Sequence, residues 1–505
     1  MTATVPLERA EKRSQDRIRI SKGAYLAGLQ CDKLLWHRFH TPEAFPAVDP
    51  QTQAIFDQGQ QVTELARELF PDGILIDGEG IAGVAQRTRD ALKLRCPVFE
   101  PAFESNGCFS RADILFPVPE SDRWDIIEVK STTGVKDVHL YDLAFQRHVL
   151  TNSGLSIRKL ILAHVNNEYV RDGKLDAHGI FTLADVTERV ANLDFDVAGA
   201  VNSMFHTVRL TQHPPTQIGP RCDWPYACPL HDRCWKFLPE HSVFTLYRGG
   251  EKSFTLLGQR IQKLQEIPDQ FKLTTNQLIQ RQVLRTGKPH VNKEAIEAFL
   301  KRLRYPIHYL DFESFATALP IFDAVRPYQQ IPFQFSLHIV QSEGSDPEHH
   351  TYLADGRNDP RHEFMGTLKP VLGTTGSIVV YNAGFEKCVL RDGCDFLPEF
   401  SGWLGELAPR FVDLFSPFRS FHYYHPAQDG DASIKAVLPA ITGKNYEHLQ
   451  IRDGASASLE FLRVHFGTVS DAERNRIRKH LHDYCHWDTA GMIWIVERLA
   501  ALVRS

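Results

Sequence analysis

The sequence predicts an α/β chain with two β-bearing modules and a helical segment between them. Three observations predict it. Short apolar runs bounded by turn residues cluster twice, at 97–165 and again from 304. Helical periodicity fills 20–95, 241–303 and most of 382–505. A chain of 505 residues also exceeds one core, since domains run to roughly 150 residues.

In order along the chain, 1–19 is expected as a flexible arm. Val62, Leu65, Ala66, Leu69 and Phe70 recur at helical spacing before Pro71-Asp72-Gly73 stops the helix. Val98–Ser105, Arg111–Val118 and Trp124–Ser131 are expected strands, with a turn at 119–122. A helix over 138–150, a strand over 158–164 and helix over 182–206 follow. Residues 213–240 are rich in Pro and Cys and irregular. The predicted organisation is a first module over 20–240, a helical connector over 241–303 and a second module over 304–505. Strands in the second module are expected at 308–312, 333–341 and 377–381.

A formal net charge of −5 excludes binding to nucleic acid through a strongly basic overall field, so any such contact must be local. No run of 18 apolar residues occurs, and no membrane helix is expected. The N-terminus has no apolar signal core, which points to the cytoplasm. Nine cysteines are too few for a disulfide scaffold, and the question becomes which of them bind metal.

Arg111-Ala-Asp113-Ile-Leu lies in one expected strand and Ile126-Ile-Glu128-Val-Lys130 in the next. Alternation puts Glu128 and Lys130 on one face, and hairpin pairing brings Asp113 alongside. Converging carboxylates repel unless a cation lies between them, and hard oxygen donors suit Mg²⁺ or Mn²⁺. A lysine there helps activate water and offsets charge on a phosphate. A solvated hairpin face with alternating charges has the same pattern.

With Gln146 on the following helix, this spacing resembles the PD-(D/E)XK nuclease superfamily, closest to its RecB-type and CRISPR-adaptation branch, over about residues 20–236. The resemblance implies catalytic roles for Asp113, Glu128, Lys130 and Gln146. These nucleases usually place a His on an early helix after a glycine. Here Gly59 is followed by no His, and Glu64 and Glu104 are the nearest substitutes.

Cys222, Cys228 and Cys234 are spaced by two five-residue gaps in a loop rich in Pro and aromatics, and Cys31 is the natural fourth thiolate. Four thiolates hold zinc or a cubane cluster. One distant N-terminal cysteine with three clustered after the core is similar to the layout of those same nuclease families. That resemblance implies a structural [4Fe–4S] cluster, with Zn²⁺ as the alternative. Cys96, Cys108, Cys388, Cys394 and Cys485 read as small apolar residues.

In Tyr309-Leu-Asp311-Phe-Glu313, an apolar strand carries two acids on one face, which burial makes costly without a cation. Tyr484 and Asp488 share a helix face at i,i+4. Together, D-x-E and Y-x3-D resemble the DnaQ-like, DEDDy-type exonucleases of RNase H-like fold. The middle motif is expected at Asn382-Ala-Gly-Phe-Glu386, with Glu in place of the usual Asp, and Asp413 as a following structural acid. The resemblance implies two divalent ions on Asp311, Glu313, Glu386 and Asp488, with Tyr484 orienting water. Residues 240–505 also resemble a bacterial domain family of unknown function often joined to RecB-like nucleases.

The expectation is a metal-dependent nuclease acting on DNA in preference to RNA. A catalytically degenerate nucleic-acid-binding protein, or a nuclease with one active module, is the alternative. DNA repair and defence are the settings, and the source of protein partners, that resemblance implies. The basic residues from Arg248 to Lys293 form either a solvated face or a phosphate contact. The aromatics at 422–425 either stack bases or cap a core.

Overall fold

A computed structural model describes residues 18–78 and 80–504; the expected arm lies, up to residue 17, outside them. The chain is mixed α/β. It divides into two units, Met1–Phe237 with Thr317–Tyr328, and Leu238–Ala316 with Gln329–Ser505. The 241–303 segment, expected as a connector, clusters with the second unit. Thr317–Tyr328, expected in the C-terminal module, belongs instead to the first. There Ala318 and Leu319 join an apolar cluster with Val62, Ala66 and Val129, and the Ala318 N–H donates to Gln58 Oε1 at 3.1 Å.

In the first unit, helix α1 (Lys22–Gln30) starts at Ser21, whose Oγ accepts the Ala24 N–H. Extended backbone at Cys31 separates it from α2 (Asp32–His40). Helix α3 (Pro50–Ala66) begins with Asp49 as cap and Pro50 in the first turn, a combination that satisfies free N–H groups and presets φ.

A six-stranded sheet follows in sequence order: β1 (Ile74–Leu75), β2 (Val98–Phe99), β3 (Ile114–Pro117), β4 (Trp124–Lys130), β5 (Ile157–Val165) and β6 (Phe181–Asp185). The β4–β5 pair is parallel and is joined through helix α4 (Asp137–Asn152). That helix buries Leu140, Leu143, Phe145 and Val149 in the main core.

Two expected strands are each split. Cys108–Arg111 pairs with Ala102–Ser105 on one side and Ile20–Ser21 on the other, in a separate three-stranded sheet. The chain therefore leaves one sheet before Asp113 and enters the other at Ile114, so Asp113 sits at a crossover rather than within a strand. Glu100, at φ 56°, breaks Val98–Ser105 in the same way. Residues 182–206, expected as helix, open with edge strand β6.

The second unit is built on a five-stranded sheet. Its order is β9-β8-β7-β10-β11, from β7 (Ile307–Phe315), β8 (Ile331–Val340), β9 (Glu348–Leu353), β10 (Ser377–Val380) and β11 (Phe411–Asp413). Strand β8 is buried along its whole length because helices cover both its faces. On one face Phe312 and Phe335 meet Phe364 of helix α5 (Arg361–Leu372). The other face carries Asp311, Glu313, Ser336 and His338, by alternation and cross-strand pairing. The 34-residue helix α9 (Asp471–Arg504) covers it, with α8 (Gly454–Phe466) beside β7. Phe333 and Phe461 stack at 4.1 Å under α8. Helix α6 (Gly384–Phe396) leaves the end of β10, and α7 (Ile434–Thr442) packs on α9. Among the described residues no helix is long and apolar enough to cross a membrane.

Candidate metal centres

In the first unit, alternation along β4 puts Glu128 and Lys130 on one face. Asp113 arrives from the crossover, and its Oδ2 accepts the Val129 N–H at 2.7 Å. Helix α4 adds Asp142 and Gln146, one turn apart. Gln146 Nε2 donates to Glu128 Oε2 at 2.7 Å and to Asp142 Oδ1 at 3.1 Å. Two ammonium groups complete the cluster. Lys22 Nζ of α1 lies 2.6 Å from Glu128 Oε1 and 3.6 Å from Asp142 Oδ2. Lys130 donates to the same Glu128 oxygen and sits 3.0 Å from Asp142.

Three carboxylates therefore face two ammonium groups. Burial alone would raise Glu128, but Lys130 and Lys22 outweigh it and hold its carboxyl below the usual range. Burial and the neighbouring Glu128 push Asp113 up to about 7. Asp142 is raised for the same two reasons. The sequence offers no local sign of Lys22 or Asp142 as members. Glu64 and Glu104 do not join them: Glu64 accepts from Gln60 within its own helix, and Glu104 pairs with Arg19 at 2.9 Å.

Cys31, Cys222, Cys228 and Cys234 line one small pocket with Leu34, Leu230 and Trp235. Burial pushes the Cys228 thiol up to about 11, and the other three thiols add to the shift. Cys31 reaches the pocket because the α1–α2 break presents it there. Gln30, just before it, is buried and ties the cysteine loop in place. Its Nε2 donates to the carbonyls of Tyr226 at 2.7 Å, Arg221 at 3.1 Å and Cys222 at 3.3 Å.

In the second unit, β7 presents Asp311 and Glu313, just before a register shift that bends the strand. Cys485 of α9 is a third member, a correction to its expected role as apolar filler. Its Sγ donates to Asp311 Oδ2 at 3.6 Å, and donor atoms of Asp311, Glu313 and Cys485 lie within 4.8 Å of one another. Glu386 enters from the first turn of α6, after a turn at Asn382 in left-handed conformation (φ 74°). Asp413 shapes that turn, its Oδ1 accepting the N–H groups of Asn382 and Phe415, both at 3.0 Å. Asp488 lies one turn beyond Tyr484 on α9 and accepts from the Tyr446 hydroxyl, a partner absent from the sequence expectation.

Glu313, Glu386 and Asp488 are buried, Asp311 is half-buried, and their repulsion is poorly balanced. Burial, then the charges of Asp488 and Glu313, push Asp311 well above the carboxylate range. Glu313 is raised by burial and Asp488, and the Lys435 ammonium opposes the rise. Burial pushes Glu386 up to about 8 and Asp488 to about 6. Glu386 Oε2 is buried without a hydrogen-bond partner among the described residues. The Tyr484 phenol is pushed up by burial and by Asp488, Glu313 and Asp311, so it stays protonated.

Two of the basic residues and two of the 422–425 aromatics make structural contacts. Arg281 is buried, donating to the Ile267 and Pro268 carbonyls, and with Arg285 it pairs Asp269. Tyr423 and Tyr424 are buried opposite the strand His290–Val291, and Tyr424 stacks on Phe421 at 4.5 Å, so they cap a core.

Residues 308–433 match a domain of unknown function, DUF2779. The match takes in Asp311, Glu313, Glu386 and Asp413, and ends before Tyr484 and Asp488. The chain is also 26% identical over 225 residues to the uncharacterized protein UU173 of Ureaplasma parvum serovar 3 (strain ATCC 700970). That similarity covers 40% of this chain and 32% of the relative, so the chain spans about a third of the relative's length.

Proposed function

We propose that this chain is a metal-dependent nuclease that hydrolyses phosphodiester bonds, in DNA in preference to RNA, with its cut made in the second unit. One observation carries this. Asp311, Glu313, Glu386 and Asp488 come from three separate segments, and burial raises all four. Burial and mutual repulsion keep these carboxyls protonated unless a cation compensates them, and the Lys435 ammonium only partly opposes the rise at Glu313 and Asp488. The unpartnered Glu386 oxygen and the predominance of hard oxygen donors fit Mg²⁺ or Mn²⁺. Such ions, when bound, supply charge stabilisation and a water acidic enough to attack.

The residues do the rest. Asp311, Glu313, Glu386 and Asp488 hold the divalent ions. The protonated Tyr484 hydroxyl, directed at the same carboxylates, orients the attacking water. The parallel β7–β10 pair and the helix leaving β10 agree with an RNase H-like core, and the D-x-E and Y-x3-D spacing with a DEDDy-type site.

The first unit is proposed as a PD-(D/E)XK-like module, with Asp113, Glu128, Lys130 and Gln146 as its site. A second role is favoured there by a specific observation: Lys22 and Lys130 already neutralise Glu128, leaving little demand for a cation. This unit is therefore assigned to holding nucleic acid, with cleavage secondary. Four thiols around one apolar-walled pocket fit a [4Fe–4S] cluster, or Zn²⁺, that clasps the two ends of the unit.

The test is degradation of end-labelled DNA and RNA by anaerobically purified protein, with Mg²⁺ or Mn²⁺. Asp311→Ala abolishes cleavage and Asp113→Ala leaves most of it. Absence of any divalent-dependent cleavage refutes the proposal, and loss with Asp113→Ala alone moves the cut to the first unit.

A further inference from the structure

Three imidazoles converge on the α9-covered face of the second unit, apart from the carboxylates. Cross-strand pairing sets His338 of β8 opposite His349 of β9, and α9 lays His486 over them. One ring nitrogen of each lies within 4.8 Å of the other two. The His338 and His349 rings stack at 4.2 Å, and the His486 ring stands 4.8 and 4.6 Å from them. His338 is buried, whereas His349 and His486 are half-buried and leave a way in for an ion.

Hydroxyls anchor one nitrogen on each of two of these rings. His338 Nδ1 is 2.8 Å from Thr489 Oγ1, His349 Nε2 is 2.9 Å from Ser336 Oγ, and the two hydroxyls are 2.7 Å apart. Thr489 donates its proton to the His486 carbonyl at 3.1 Å. Each of these two rings therefore has one nitrogen anchored on a hydroxyl, and the other makes no hydrogen bond among the described residues. Metal-bound imidazoles are held in this way, one nitrogen anchored by a hydrogen bond and the other on the ion. The third ring points to a ligand independently, since His486 Nδ1 is buried with no hydrogen-bond partner among the described residues. Burial also pushes His338 down to about 3 and His349 to about 4, so both rings are neutral near pH 7.

We propose that His338, His349 and His486 form a site for a borderline transition-metal ion, Zn²⁺ foremost, with an open position for water or an anionic group. Imidazole donors favour Zn²⁺ over the hard Mg²⁺ or Mn²⁺ that carboxylates select. The site uses none of the four acids and stands whether or not the chain cleaves nucleic acid. Its consequence is mechanical. An ion there joins edge strand β9 and strand β8 to the helix that carries Tyr484 and Asp488.

The test uses the full chain, stripped with a chelator, saturated with Mg²⁺ and titrated with Zn²⁺ against a chromophoric competitor. His349→Gln and His486→Gln are compared with the parent, and equal melting in chelator verifies that both fold. The parent is expected to bind one more tight Zn²⁺ equivalent than either variant. X-ray absorption of that extra equivalent is expected to show nitrogen and oxygen neighbours without sulfur, distinguishing it from zinc on the cysteines. Ser336→Ala, which keeps all three rings but removes the anchor of His349, is expected to weaken this equivalent roughly tenfold. Equal Zn²⁺ stoichiometry in the parent and both histidine variants overturns the proposal.

Discussion

The Cys485 thiol on α9 donates to the Asp311 carboxylate on β7 across 3.6 Å. Burial and the adjoining charges of Asp311 and Glu313 push this thiol well above its usual range, so it stays protonated and acts as a donor. Its replacement by serine keeps a donor, and its replacement by alanine removes it. Cys485→Ser is expected to retain Mn²⁺ affinity. Cys485→Ala is expected to weaken it roughly two- to tenfold, the net effect of one hydrogen bond of about 0.5–1.5 kcal/mol. Calorimetric Mn²⁺ titration of both variants measures the difference, and equal loss in the two removes the donor role.

The acids of the second unit make a pH signature in metal-free protein. Glu386 is pushed up to about 8 and Asp488 to about 6, against ordinary carboxylate values near 4 in the unfolded chain. The folded state therefore binds their protons more tightly than the unfolded state does. The stability they contribute is present at low pH and is lost as pH rises from about 4 through 6 to 8. Melting temperature in chelator is expected to fall across that window. Saturating Mg²⁺ is expected to flatten the slope, because a bound cation favours the ionised acids. Identical profiles with and without Mg²⁺ would count against a metal centre there.

The first unit is expected to behave in the opposite way. Lys22 holds Glu128 at 2.6 Å where Glu128 is fully buried. Lys22→Met leaves three carboxylates facing Lys130 alone. Breaking such a pair exposes an uncompensated buried charge, at a cost on the order of 2–4 kcal/mol in chelator. Mg²⁺ is expected to restore much of that loss in Lys22→Met. Thermal unfolding of the variant, with and without Mg²⁺, measures both effects.

What was legible in the sequence followed local rules. Two-residue alternation gave the shared face of Glu128 and Lys130 and of Asp311 and Glu313, and one helical turn gave Tyr484 and Asp488. Lys22 meets Glu128 across 106 positions and Tyr446 meets Asp488 across 42, and no periodicity encodes such contacts. Cys485 was hidden because a buried thiol looks like any small apolar residue until its neighbour is known. Strand β9 was missed because Glu-His-His-Thr-Tyr-Leu is a polar edge, and β11 because it has only three residues. Asp113 reads as part of a strand because apolar residues flank it on both sides where the chain crosses from one sheet to the other.

Gln30 offers a test of the cysteine clasp that touches no thiol. Its buried amide donates to the carbonyls of Tyr226, Arg221 and Cys222, and so joins the end of α1 to the loop that supplies three of the four cysteines. Gln30→Leu keeps the volume but leaves these carbonyls without their donor, at about 1–3 kcal/mol for a buried group left unsatisfied. Cys31 is the next residue, so the loop loosens directly against its fourth thiol. Anaerobically purified Gln30→Leu is expected to carry the same initial visible absorbance as the parent and to bleach faster in air. Cys228→Ser is expected to lack the absorbance from the start. Colourless parent protein holding one zinc would instead assign the pocket to Zn²⁺, and Gln30→Leu would then release zinc faster to a chelator. Bleaching or zinc release at the parental rate in Gln30→Leu would show that the loop holds without α1.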